Sequence, residues 1–235
     1  MALPQLNAPS YEMEVPSTGE KIKYRPFLVK EQKVLMIAQE TGNEKDMAQA
    51  MCDIVKNCTD NVIKTPEKLP TFDIEYMFLQ LRSKSVGDEV ELEVTCPDDG
   101  ETKVPVKLKL SEVAIERNDD HSPEVMITDK IGMKFKYPSM VDISKYTGGK
   151  TKTVDLTFGV IRDCLECIFD ENEVYEDMSK KEVDEFIESM NTDQFQRVQN
   201  FFDTMPKLRH VVMVTNPNTK VESPVIIEGM QNFLV

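Results

Sequence analysis

The sequence predicts an α+β protein: a helical body with projecting β-hairpins, one ribbon-like and inserted mid-chain, one near the C-terminus. Three observations predict it. Apolar residues recur at three- and four-residue steps in the first third of the chain and again between residues 153 and 205. The period changes to strict alternation in Glu89–Thr95 and Lys103–Leu110. Clusters of Pro, Asp, Asn and Gly punctuate both kinds of segment. The expected organisation is an N-terminal hairpin with three helices (1–86), an inserted metal-free hairpin (87–112), and short strands, helices and a C-terminal hairpin (113–235). The last segment is expected to form one compact unit with the first.

Residues 1–10 read as a loose arm. Tyr11–Val15 and Lys21–Tyr24 flank Pro16-Ser17-Thr18-Gly19, the pattern of a small hairpin. A helix follows, with Val34, Leu35, Ile37 and Ala38 expected on its buried side and Gly42-Asn43 ending it. A second helix carries Met47, Ala50, Met51, Ile54, Val55 and Cys58. A third, about Phe72–Lys84, has apolar residues on more than one face, so it should lie at the centre of the core.

In the mid-chain hairpin, Val90, Leu92 and Val94 oppose Val104, Val106 and Leu108, while Glu89, Glu91 and Glu93 face lysines on the other side. Its tip is Cys96-Pro97-Asp98-Asp99-Gly100, a strong turn signal. Short strands are expected near Val125–Ile127 and Ile131–Phe135, and a short helix over Ser139–Tyr146. Thr153–Phe169 carries a helical stripe of Val154, Phe158, Ile161, Leu165 and Ile168, and an acidic loop over Asp170–Asp177 follows. Ser179-Lys180-Lys181-Glu182 is a capping box for the next helix. One more helix, using Phe195, Val198, Phe202 and Met205, stops at Pro206. Leu208–Val214 and Pro224–Glu228 close the chain as a hairpin.

Composition narrows the function. The chain has 235 residues, 40% of them hydrophobic, enough for a packed core without staples. Forty-two acidic against 28 basic side chains give a net charge of -14, which repels a phosphate backbone; nucleic-acid binding is not expected. No apolar run reaches the ~20 residues of a membrane span. The opening MALPQLNAPSYEMEVP has no secretory pattern, and five unframed cysteines imply free thiols in a reducing cytoplasm.

Each catalytic look-alike lacks a part. Gly148-Gly149-Lys150-Thr151 resembles the end of a phosphate loop, but Ser144 stands where a glycine is required. Cys164-Leu165-Glu166-Cys167 has redox spacing, yet both cysteines are expected inside a helix rather than at its start. Cys96-Pro97-Asp98-Asp99 begins like a zinc ribbon, but Asp99 replaces the second thiolate and Asn216-Pro217-Asn218-Thr219 offers none. His121 and His210 have no nucleophile in a recognisable setting. The expectation is a non-enzyme with no catalytic, cofactor or metal residues; the competing reading is a redox or metal-dependent processing enzyme using Cys164 and Cys167, or Cys96.

Two strings carry a resemblance. Lys23-Tyr24-Arg25-Pro26-Phe27-Leu28-Val29-Lys30-Glu31-Gln32-Lys33 and the segment from Leu69-Pro70-Thr71-Phe72-Asp73 through Ser85-Val86-Gly87 resemble the T4-type bacteriophage baseplate hub assembly protein family. The hairpin at Thr95-Cys96-Pro97 and the stretch Glu228-Gly229-Met230-Gln231-Asn232-Phe233 are similar to it too. The resemblance implies a myovirus tail protein that helps build the central hub of the baseplate by protein–protein contact. Such a protein would act as an assembly factor or stay as a virion subunit, work in the bacterial host cytoplasm during assembly, and bind other hub and tail proteins or a second copy of itself. Tyr24, Arg25, Phe27, Phe233 and Leu234 are the expected contact residues.

Overall fold

Strands β1 (Tyr11–Glu14) and β2 (Lys21–Tyr24) pair so that Met13 meets Ile22 on the buried side, while Glu12 meets Lys23 and Glu14 meets Lys21 outside. A computed structural model describes residues 7–146 and 153–229 of the chain. The Gly148–Thr151 run, Phe233 and Leu234 lie outside the described residues.

Helix α1 (Val29–Thr41) ends on Gly42 in the left-handed conformation at φ +62°, and α2 (Glu44–Cys58) begins where Asn43 accepts from the Lys45 amide. Helix α3 (Thr71–Ser85) buries Phe72, Ile74, Met77, Phe78, Leu79 and Leu81 on all sides, the central position its composition predicts. Strands β3 (Glu89–Thr95) and β4 (Lys103–Lys109) pair in the expected register, Glu89 with Lys109 and Glu91 with Lys107. Val90, Leu92 and Leu108 join the core from their inner face.

Strand β5 (Ala114–Glu116) leads to a second group of elements: β6 (Glu124–Met126), β7 (Gly132–Phe135), α4 (Met140–Ser144), α5 (Thr153–Cys164), β8 (Leu165–Phe169), β9 (Val174–Tyr175), α6 (Lys180–Glu188) and α7 (Thr192–Thr204). The chain then returns through β10 (Lys207–Thr215) and β11 (Glu222–Glu228). The architecture is α+β, with small separate sheets: β1-β2, β3-β4, β11-β10-β5 and β6-β7-β8-β9.

Two hydrophobic clusters result. One gathers β1, β2, α1 to α3 and the inner faces of the hairpins, including Leu208 and Ile227; the other gathers Met133, Phe135, Ile161, Ile168, Val183, Ile187, Val198 and Phe201. An aromatic joint links them. Tyr137 packs edge-on against Phe72 at 5.2 Å between ring centroids and lies parallel to Phe201 at 5.9 Å, with His121 stacked on it.

The structure corrects three expectations. The helix predicted over Thr153–Phe169 stops at Cys164, and Leu165–Phe169 form a strand. Leu165 and Ile168 suit a helical stripe, but as strand residues they pair with Phe135 and Met133, and β8 gains ladder partners on both edges. Tertiary pairing overrides the local period. The acidic loop after it contains β9, turned by Asp170, whose Oδ1 accepts the amides of Asn172 and Glu173. In α1 only Glu31, Leu35 and Ala38 are buried, whereas Val34 and Ile37 are exposed. The helix meets the core along one narrow i, i+4, i+7 line, so its other apolar residues face outward.

Candidate partner interface

The C-terminal hairpin departs from the alternation that builds the mid-chain one. Leu208-Arg209-His210-Val211-Val212-Met213-Val214 places apolar residues on both faces of β10. Leu208 and Val214 point inward with Ile227 and are buried. On the outer face Val211 pairs with Ile226 and Met213 with Pro224. Val211, Met213 and Ile226 are 50%, 59% and 51% exposed, a contiguous apolar quartet that folding leaves in solvent.

Polar rungs bound this quartet. At one end Arg209 Nη1 binds Glu116 at 3.0 Å and Lys207 pairs with Glu228 at 3.5 Å; at the other stand Thr215 and Glu222. An apolar centre with a charged rim is the anatomy of a protein-binding patch. Beside it, β11 is the outermost strand of its sheet among the described residues, the position at which strand addition extends a sheet.

A second outward apolar surface lies on α1, where Val29, Val34, Met36 and Ile37 are exposed alongside the exposed Lys30 and Lys33. The predicted contact residues that the structure describes precede α1 in the chain. Tyr24 and Phe27 are buried, and Phe27 lies over Phe78 with centroids 6.4 Å apart. Arg25 Nη2 reaches Glu31 Oε1 at 3.0 Å, Nη1 donates to the Pro26 carbonyl at 3.0 Å, and Nη2 donates to the Asn57 carbonyl. Glu31 Oε2 accepts the Leu28 amide at 2.8 Å, closing the helix start. Burial alone would raise the Glu31 carboxyl, but Arg25 and the Leu28 amide outweigh it and hold it below the usual range. These residues fix where α1 stands.

One anchor escaped the sequence reading. Asp73, buried on α3, accepts the Ser17 amide at 2.8 Å and the Ser17 hydroxyl, and so ties the β1–β2 turn to the central helix. Its burial raises its carboxyl despite those donors. An acidic residue set between Phe72 and Ile74 in the first turn of the central helix was the available signal.

The reactive side chains are enclosed. All five cysteines are free and buried. Cys164 ends α5 and Cys167 lies on β8, not inside a helix as expected. Burial pushes the Cys164 thiol up to about 12 and Cys58 up to about 11, which keeps them protonated and weakly nucleophilic at neutral pH. His121 Nδ1 lies 2.9 Å from Thr204 Oγ1 between aromatic rings, and its burial lowers its pKa. A 460 Å³ apolar cleft lined by Ile143, Leu156, Val160, Phe202 and Met205 has Asp203 as its one charged lining residue. Among the described residues no three His, Cys, Asp or Glu side chains are grouped to hold a metal ion, and no helix is long and apolar enough to cross a membrane.

A family model described as T4 bacteriophage base plate protein matches residues 8–235. No curated protein and no solved structure matches the chain.

Proposed function

The chain belongs to the T4 bacteriophage base plate protein family, and from that premise we propose that it helps assemble the central hub of the baseplate through protein–protein contacts, without catalysing a reaction. Family membership carries the coarser part, a structural or assembly role in the phage baseplate. The outer face of β10 and β11 carries the finer part. A solvent-facing quartet of Val211, Met213, Pro224 and Ile226 on the outermost strand of a sheet and its neighbour is costly in a protein that acts alone. It is suited to a partner that covers it.

In this reading the partners are other hub and tail proteins, met in the host cytoplasm as the tail is built. Arg25, flanked in the chain by the buried Tyr24 and Phe27, contributes by holding Glu31 and so presenting the apolar side of α1 to the same assembly. Phe233 and Leu234, which follow β11 in the chain, extend the contact set. The net charge of -14 favours partners with basic contact surfaces and disfavours DNA.

Co-expression with the individual hub proteins tests the proposal. The wild-type chain should co-purify with at least one of them, and a Met213→Glu, Ile226→Glu double variant that keeps its circular dichroism spectrum should not. Retention of every complex by that variant would refute the patch as the contact. Mass spectrometry of purified virions then separates a retained subunit from a transient assembly factor.

A further inference from the structure

The tips of the two long hairpins are near copies of one another. Each begins with a buried residue followed by proline: Cys96-Pro97 at one tip, Asn216-Pro217 at the other, with Cys96 and Asn216 0% and 1% exposed. In each, the amide of the fifth residue donates to the carbonyl of the first at 2.9 Å, Gly100 to Cys96 and Lys220 to Asn216. Those fifth residues share the left-handed conformation, at φ +69° and +65°. The first residues' own amides donate back across the turn, to Thr102 and Val221 carbonyls at 2.8 and 2.9 Å. Lys220 holds this conformation at a strain that glycine avoids. The turn shape is therefore kept where the residue that favours it is absent.

The two turns also face each other. Asn216 Nδ2 donates to Asp98 Oδ1 at 3.0 Å and to Asp99 Oδ2 at 2.8 Å, residues more than a hundred positions away. Thr219 Oγ1 donates to Asp98, and Asn218 Nδ2 donates to Thr102 Oγ1 at 3.0 Å. Asn216 Oδ1 meanwhile accepts the Asn218 amide at 2.9 Å, which fixes its amide nitrogen toward the opposite tip.

Two facing turns with side chains at their first and fourth positions are the frame by which two Cys-x-x-Cys pairs grip one tetrahedral metal. Here those positions are Cys96 and Asp99 on one turn, Asn216 and Thr219 on the other. We propose that the two tips form a metal-knuckle frame in which a hydrogen-bonded clasp centred on Asn216 replaces the cation. Asn216 and Thr219 present donors toward carboxylates, the opposite polarity to a metal ligand. The clasp joins the charged hairpin to the hairpin that bears the apolar patch, and does so without zinc. This inference is independent of the baseplate reading.

The test converts the frame back. A full-length Asp99→Cys, Asn216→Cys, Thr219→Cys variant has four cysteines at the four positions. Titrated with Co²⁺, it should bind one equivalent and show the intense visible absorption of tetrahedral thiolate coordination, which Zn²⁺ then abolishes. The wild-type chain should take up neither ion stoichiometrically. A folded variant without that spectrum, or a wild-type chain that binds one Zn²⁺, overturns the proposal. Should the triple variant not fold, Asp98→Ala and Asn216→Ala, singly and together, decide instead. Each single change should lower the melting temperature by about 2–4 °C, and the double change should lower it by less than their sum. Strict additivity would show that the tips are not coupled and refute the clasp.

Discussion

The mid-chain and C-terminal hairpins share a plan and differ in what they show to solvent. Both bury an inner face on the same core, through Leu92 and Leu108 in one and Leu208 and Ile227 in the other. Both end in the same kind of turn, and the turns meet. Outside, β3 and β4 present Glu89, Glu91, Lys107 and Lys109, whereas β10 and β11 present Val211, Met213, Pro224 and Ile226. A charged face is satisfied by water and by its own cross-strand partners, so it asks for no other protein. An apolar face of similar size stays unsatisfied until something covers it. In the proposed reading, equivalent architecture therefore serves two ends: the first hairpin braces and the second offers a face to a partner.

The comparison can be broken most directly at the level of burial. Leu108→Ala, on the inner face, should cost about 2–5 kcal/mol in urea unfolding. Met213→Ala, on the outer face, should stay within about 0.5 kcal/mol. Similar losses at both would mean that Met213 is not free of the core. Binding gives the next contrast. Met213→Ala should weaken hub-protein binding by about 2 kcal/mol, roughly thirtyfold, as a central apolar contact does. Glu93→Ala on the charged hairpin should leave affinity within about twofold. Equal effects in calorimetric titration would erase the distinction between brace and binder.

A smaller effect tests the charge ladder itself. Glu91→Lys places like charges opposite each other at Lys107 and should destabilise by about 0.2–1 kcal/mol. The penalty should shrink in high salt, since both side chains are exposed. The last contrast concerns pH at the joined tips. Thr219 and Asn216 hold the Asp98 carboxyl below its usual range, and Thr102 and Asn216 do so for Asp99. A carboxyl depressed in the folded state stabilises fully above its unfolded value of about 3.9 and loses that contribution as pH falls through the folded value. The stability gap between wild type and Asp98→Asn should thus be constant from about pH 7 to 5 and close only in stronger acid. A gap that closes near neutrality would assign it to another group.

Much of the fold was legible because period and turn chemistry are local. The β3–β4 register followed from the opposition of Glu and Lys, and the centrality of α3 from apolar residues on all its sides. Other features were not. Leu165 and Ile168 satisfy a helical stripe and a strand equally well, and only pairing with β7 decides between them. Tyr24, Arg25 and Phe27 are distinctive as a string, but a string does not say that two of them are buried. The outer patch did leave a trace: the run Val211-Val212-Met213-Val214 breaks the alternation that a one-sided strand requires.

By itself the sequence determined the α+β class, the central helix, the charge on each face of the mid-chain hairpin and the turn residues at both hairpin tips. Each of these depends on neighbours a few positions away. The tertiary structure decided which apolar faces found a partner within the chain, leaving the outward side of α1 and the outer side of β10 and β11 in solvent. It also brought Asn216 to Asp98 and Asp99 across more than a hundred residues. Periodicity reports which side chains share a face. Whether that face meets core, solvent or a second turn depends on how distant segments pack, and no local pattern records it.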